Sequence, residues 1–380
     1  MADFRSKLKM MSSLSADWNQ PAEKVAVSEK ALDDTDFLYP WTQEYGSYRL
    51  DMFPSLSPSL FFGLNDLPEE PFDPKKILFL DTETTGLYGA AVQAFLVGLG
   101  YFRDDGFHVR QILMRNLGAE TELLQALAGF FPAFDVIVTF NGKSFDVPLI
   151  ETRLTFNRMH AQIPETHIDL IHPARRIYKL RLESCRLSNL EAKVFGVDRV
   201  DDLSGSLIPG RYMQFVKSGD DTLLEDILDH NRQDIMSMPL LACAMCQALE
   251  RPAKEQAAAD LFSIGRYYMR QKNTQAAEEY FSSVQDGLWS LPAQWQKSLL
   301  VKKTDPDAAA VLWEKILEHT PDYCPAMLEL SKYHEHKSGD LDAAYRYCLA
   351  ALDTNMGKFK FASDLQARKI RLEKKLHKNR

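Results

Sequence analysis

Four acids stand out by type and order: Asp81 and Glu83 in the run ILFLDTETTG, Asp146 in NGKSFD, and Asp234 in HNRQD. Magnesium and manganese favour such side chains, because both ions are hard and take oxygen donors. Two of these ions roughly 4 Å apart can stabilise both the attacking water and the leaving oxygen of a phosphodiester. Four clustered carboxylates repel one another strongly unless cations neutralise them, so the set implies metal. In this order and at these separations, the acids read as the metal-holding core of a phosphodiester-cutting enzyme.

The elements around them must bring them together. Residues 77–80 are a short apolar run that fits a buried strand. Side chains alternate along a strand, so Asp81 and Glu83 emerge on one face and can grip one cation. Thr84, Thr85 and Gly86 follow as a turn that leaves room for a substrate. A second Val/Ile-rich strand, 135–140, stops at Asn141-Gly142. A helix is expected to begin near Phe145, with Asp146 in its first turn and Pro148 just inside. Taken alone, Asp146 reads equally as a helix cap. A third element, a helix over about 223–249, carries His230 and Asp234 four apart on one face. An imidazole one turn from a metal-bound carboxylate is placed to deprotonate a water, since its ordinary pKa lies near neutral pH. A lone helical His is more often a surface or packing residue, and the other acids are what raise the functional reading here.

These motifs resemble the ribonuclease H-like DEDD superfamily of 3'-5' exonucleases. DTETTG looks like its first motif, NGKSFD its second, and HNRQD stands in the place of its third. The stretches HIDLIHPARR and CRLSNLEAKVFGV are similar to a bacterial branch of predicted exonucleases that pair this domain with a helical repeat tail. The resemblance covers about residues 75–248. It implies that Asp81, Glu83, Asp146 and Asp234 are ligands of two Mg2+ or Mn2+ ions, and it supplies the 3'-5' polarity. His230 departs from the pattern, standing at the spacing the superfamily gives to a Tyr. Metal alone would then be a slower route to an activated water.

The chain has 380 residues and 45% hydrophobic content, enough for two or more domains with ample cores. No secretory signal is visible in the first residues. The uncharged stretch 84–102 is rich in Gly and Thr, and reads as a turn leading into a buried strand near 95–101 rather than a membrane span. Cys185, Cys243, Cys246, Cys324 and Cys348 are few and scattered, which suits a reducing cytoplasm. Cys243 and Cys246 lie among Leu, Ala and Met, and read as buried packing rather than a zinc or redox pair.

A net charge of -8 looks awkward for an enzyme of nucleic acids, but phosphate affinity comes from local patches. Arg175, Arg176, Lys179, Arg181 and Arg186 form one such patch, with Tyr178 available for stacking; the bland alternative is a solvated helix face. Asn141 and Phe145 border Asp146 and are candidates to touch the terminal nucleotide, with Thr84 and Gly86 beside them.

After about residue 250 the character changes. Ala-Ala pairs recur 32 residues apart (Ala276 to Ala308) and then 34 apart (Ala310 to Ala344), each after a polar turn: KNTQ, TDPD, SGDLD. The period matches paired-helix repeats of tetratricopeptide type, whose concave face commonly binds peptides.

The expected architecture is α/β: a ribonuclease H-like mixed sheet flanked by helices, followed by an all-α TPR-like repeat domain. The expected divisions are a mobile segment (1–36), an aromatic and Pro-rich extension packed on the core (37–74), the nuclease domain (75–250), the repeats (251–356) and a basic amphipathic tail (357–380). The expected activity is metal-dependent 3'-5' exonuclease hydrolysis of nucleic acid, DNA or RNA. Rival readings are a structure-selective endonuclease on the same scaffold and a non-catalytic nucleic-acid-binding adaptor that recruits a protein partner through the repeats. No membrane association is expected.

Overall fold

The structure, a computed structural model, describes residues 31–86, 89, 91–199 and 203–379. It divides into two compact units: residues up to 55 with 71–169 and 191–241, and residues 56–70 with 170–190 and 242–380.

The first unit is built on a six-stranded sheet: β1 Leu32–Tyr39, β2 Ile77–Thr84, β3 Ala94–Arg103, β4 Gly106–Met114, β5 Val136–Thr139 and β6 Thr166–Asp169. Its spatial order is β1-β4-β3-β2-β5-β6. The first four strands of that row pair antiparallel, whereas β5 and β6 continue it in parallel. The helices of this unit are α1 Glu120–Phe130, α2 Asp146–Phe156, α4 Ile208–Ser218 and the first part of α5 Thr222–Glu250.

Buried apolar side chains drive the assembly. Leu78, Leu80, Phe95, Val97 and Leu99 belong to one core with Leu123, Leu127, Ile150 and Leu154 of α1 and α2. Tyr212 of α4 stacks on Phe95 with ring centroids 3.7 Å apart and donates its hydroxyl to the Met114 carbonyl. On β3, Gly98 and Gly100 let α5 approach closely. A Cβ on Gly100 would stand 2.6 Å from Ile235 Cγ2, and one on Gly98 would stand 2.4 Å from Asn231 Oδ1.

The expected N-terminal boundary moves. Residues 1–30 lie outside the described chain, but 32–36 are part of β1 rather than a mobile segment. The reason is pairing: β1 lies along β4, and Asp33 and Asp34 meet Arg115 and Arg110 at 2.7 and 2.6 Å. The aromatic extension splits as well. Trp41 and Phe53 stack on Phe102 at 5.1 and 5.0 Å, covering apolar surface of the sheet unit, whereas residues 56–70 belong to the other unit.

The second unit is helical. It contains the short helix Pro58–Gly63, α3 Ile171–Tyr178, the end of α5, and α6 Ala258–Arg270, α7 Thr274–Ser283, α8 Ser290–Val301, α9 Pro306–His319, α10 Cys324–Tyr333, α11 Leu341–Asp353 and α12 Ala362–Asn379. Each helix from α7 to α11 packs on the one before it. The sequence period has a local cause. Asn273, Asp305 and Asp340 each accept a hydrogen bond from the amide three residues on, capping α7, α9 and α11. The alanines that follow, Ala277, Ala309 and Ala344, are fully buried at helix contacts. Cys243 and Cys246 are buried in α5 and do not form a disulfide. No described helix is long and apolar enough to cross a membrane.

Candidate active site

Strand β2 delivers the first two acids. It carries Asp81 and Glu83 at alternate positions, with Asp81 directly across from Gly98 of β3. Because Gly98 has no side chain, Asn231 of α5 can lie over it and reach Asp81, donating Nδ2 to Oδ2 at 2.8 Å. Gln111, the β4 neighbour of Gly98, donates Nε2 to Asn231 Oδ1 at 2.9 Å. This chain fixes which way the fully buried Asn231 amide points, and so aims an N–H at the carboxylate.

Asp146 enters from the other side. Strand β5 ends at Thr139, and Asn141 takes the left-handed conformation at φ 74° that turns the chain toward α2. Asp169, fully buried at the end of β6, accepts from the Asn141 and Lys143 amides at 2.7 and 3.1 Å and pins this turn. Asp146 then opens α2, its carboxylate accepting from the Thr82 hydroxyl.

Helix α5 brings the last pair. His230 Nε2 stands 3.7 Å from Asp234 Oδ2 and 3.9 Å from Glu83 Oε1, between the fourth and second acids. Asp234 also receives a hydrogen bond from Arg199, whose guanidinium is held by both oxygens of the fully buried Glu191 at 2.6 and 2.7 Å.

The electrostatics follow from this crowding. Burial pushes the Asp81 carboxyl well above its usual range, and the charges of Asp234 and Asp146 push it further. Burial likewise raises Asp146 to about 6, against the opposing hydrogen bond from Thr82. Acids that are costly to ionise side by side become favourable to ionise once a cation shares them, and the donor set is all oxygen, as magnesium or manganese requires. By donor chemistry the residues fit such ions. The side chains themselves are turned to protein partners, Asp81 to Asn231, Asp146 to Thr82 and Asp234 to Arg199. Among the described residues, no three His, Cys, Asp or Glu side chains are arranged to hold one ion as they stand.

A cavity of about 450 Å³ opens beside the acids, lined by Asp81, Glu83, Asp146, Thr84, Gly86 and the half-exposed Phe145, among others. Asn141, His230 and Asp234 are not on its wall. Arg175 and Arg176 belong to the helical unit. Tyr178 corrects the stacking expectation: only 4% of it is exposed, because it is packed into the helical unit, so it offers no face to a base. Arg181 also leaves the proposed patch, since it pairs with Asp260 at 2.8 Å.

Sequence reasoning passed over Asn231, Gln111, Arg199, Glu191 and Asp169. Asn231 lay inside the HNRQD run, and Gly98 in LVGLG marked where a helix could come close. Arg199, Glu191 and Asp169 carried no local signal, because their roles depend on partners distant in sequence.

Residues 78–246 match the model for the RNase_H superfamily. An uncharacterized protein of Bacillus subtilis (strain 168), YprB, is 32% identical over 323 residues, covering 81% of this chain and 77% of that protein. Among solved structures, the family B DNA polymerase from the hyperthermophilic archaeon Pyrobaculum calidifontis aligns at 15% identity with a TM-score of 0.37, over 60% of this chain and 30% of the polymerase.

Proposed function

The chain belongs to the same family as the Bacillus subtilis protein, and from that premise we propose that its ribonuclease H-like unit is a metal-dependent 3'-5' exonuclease acting on single-stranded nucleic acid. Superfamily membership of residues 78–246 suggests the coarser class, a nuclease hydrolase with a nucleic-acid substrate. The observation that supports metal-dependent hydrolysis is convergence, since Asp81 lies within electrostatic reach of both Asp146 and Asp234 and His230 stands between Asp234 and Glu83, while the 3'-5' polarity rests on the motif resemblance.

Asp81, Glu83, Asp146 and Asp234 would hold two magnesium or manganese ions. When bound, the ions supply positive charge to the scissile phosphate and ease deprotonation of the attacking water. The chain's own residues do the rest. His230 Nε2, 3.7 Å from Asp234 Oδ2 and 3.9 Å from Glu83 Oε1, takes the proton of that water. Phe145 offers an exposed ring to the terminal base at the cavity wall, and Thr84 and Gly86 leave the floor open to the sugar. Asn141 acts through its backbone, by shaping the turn before Asp146. The helical unit reads as paired-helix repeats of tetratricopeptide type and a surface for a protein partner, in a protein of the cytoplasm.

The test is degradation of end-labelled single-stranded DNA and RNA in manganese by the wild type and by Asp81→Ala with Glu83→Ala. A ladder of single-nucleotide products shortening from the 3' end is expected, with loss of about a thousandfold in the double variant, on the order of 4 kcal/mol of transition-state stabilisation. One internal cut would instead indicate an endonuclease. Binding without any cleavage would indicate an adaptor.

A further inference from the structure

The helical unit holds a hollow that the catalytic reading does not use. Helices α3 and α6 pack together, and a cavity of about 200 Å³ between them is lined by Arg175, Arg176, Lys179, Arg266 and Arg270, with Leu180 and Ser263 completing its wall. Five cations thus meet on two helices in a chain whose net charge is -8. Arg176 is anchored by Asp66 at 2.8 Å. Arg175, Lys179, Arg266 and Arg270 are exposed, and none forms an ion pair with another described residue. Arg175 and Lys179, the residue that caps the end of α3, are four residues apart, as are Arg266 and Arg270 on α6, so the charges repeat by one turn, about 6 Å.

We propose that this hollow is a binding track for the sugar–phosphate backbone of a single-stranded nucleic acid. Unpaired like charges brought together cost free energy, and the neutralising groups they fit are anions that several cations can share. Four of the five cations are Arg, whose planar fork of donors matches phosphate oxygens two at a time, whereas Lys offers a single point charge. No aromatic side chain lines the hollow, and Tyr178 of α3 and Phe262 of α6 are buried. The site therefore reads phosphates and not bases: its contribution is the same for purine and pyrimidine tracts and for DNA and RNA. Arg266 and Arg270 sit on the first helix after α5, so this part of the repeat region handles substrate as well as any protein partner. The proposal rests on the nuclease reading for the identity of the polyanion, and its test reads binding independently of cleavage.

The experiment compares full-length wild type with Arg266→Glu plus Arg270→Glu, and with the milder Arg266→Gln plus Arg270→Gln, which removes charge without reversing it. Fluorescence anisotropy of labelled 20-mers of dA, dT and U, without divalent metal and across a salt series, reports affinity. Binding weakened about tenfold or more in the Glu variant is expected, less in the Gln variant. The plot of log affinity against log salt should flatten by roughly 1.4, about 0.7 for each of two phosphates lost. The loss should be equal for the three sequences, and thermal midpoints should match wild type. Hydrolysis of bis(p-nitrophenyl) phosphate, too short to reach a track, should be unaffected, whereas KM for 20-mers rises with kcat kept. Unchanged affinity and salt slope in both variants would overturn the proposal. So would variants that keep oligonucleotide binding but lose binding of polyglutamate, since that result assigns the hollow to an acidic protein.

Discussion

Two buried carboxylate centres in this molecule have opposite electrostatics. In the sheet unit, Asp81 and Asp146 are driven upward by burial, and Arg199 is the cation drawn toward the cluster, shared between Asp234 and Glu191. In the helical unit, Glu335 is fully buried yet its carboxyl is driven down to about 2, chiefly by the hydrogen bond from Arg371. Arg368 and Lys375 join Arg371 around it, Arg371 and Lys375 approaching at 2.8 and 2.9 Å, with His336 Nε2 at 3.4 Å. All three cations lie on α12, at positions three and four residues apart that face Glu335 together. Burial alone therefore does not decide what a carboxylate does. A centre with its cations supplied by the chain is a clamp, and one short of cations is where an ion from solution gains most.

The sharpest way to break that contrast is to remove one charge from each centre. Glu335→Gln leaves three cations facing a neutral amide at a buried site, and loss of stability on the order of 3–5 kcal/mol is expected in urea unfolding. Asp81→Asn keeps the shape and the Asn231 contact while relieving repulsion, so in metal-free buffer it should cost less than about 1 kcal/mol or stabilise. Equal destabilisation would dissolve the distinction. Acid sharpens it further. Glu335 ionises at about 2 in the folded state against an ordinary 4.5, so its contribution is fully present above 4.5 and is lost as pH falls from there toward 2. A wild-type stability curve that declines over this window more steeply than that of Glu335→Gln is the expected signature.

Metal is the next largest effect. Manganese at about a hundred times its dissociation constant should raise stability by ~2.7 kcal/mol through selective binding to the folded sheet unit. Differential scanning calorimetry should show the shift in wild type, show none in Asp81→Asn, and show it intact in Glu335→Gln. A Glu335→Gln variant that loses the manganese response would mean that the two centres are not independent.

Strong local signals made much of this legible. The apolar run before Asp81, the Asn141-Gly142 stop and the long amphipathic stretch around His230 located β2, β5 and α5 within a few residues, because each is specified by neighbours in sequence. The polar turn before each Ala pair gave the helical period through its cap. Less legible was anything decided by partners far along the chain. The tail is expected only to be basic and amphipathic, and in the structure Leu365 and Leu372 are buried while Ile370 is 52% exposed. What fixes α12 is Glu335, more than thirty residues upstream, and no spacing within the tail announces it. Residues 56–70, expected in the extension packed on the core, and 170–190, expected in the nuclease domain, both pack with the helices. Arg199 was silent for the same reason, its meaning residing in Glu191 and Asp234 together.

The smallest expected effect probes how finely the acid centre is set. Gly98→Ala places a methyl group 2.4 Å from Asn231 Oδ1, inside any allowed contact, and the buried Asn231 amide must turn aside. Gln111 then loses an acceptor and Asp81 its N–H donor, a cost of about 1–3 kcal/mol for buried groups left unsatisfied. Asn231→Ala removes the same donor without the clash. If the Gln111–Asn231–Asp81 chain positions the carboxylate, both variants should require more manganese for half-maximal thermal stabilisation, by about tenfold, the range seen when a group that orients a ligand is removed. Adding Gly98→Ala to Asn231→Ala should then shift the manganese requirement little further, because the amide that the methyl group displaces is already gone. Shifts that add in full would show that Gly98 acts on the site by spreading β3 from α5, and that the amide chain does not set the position of Asp81.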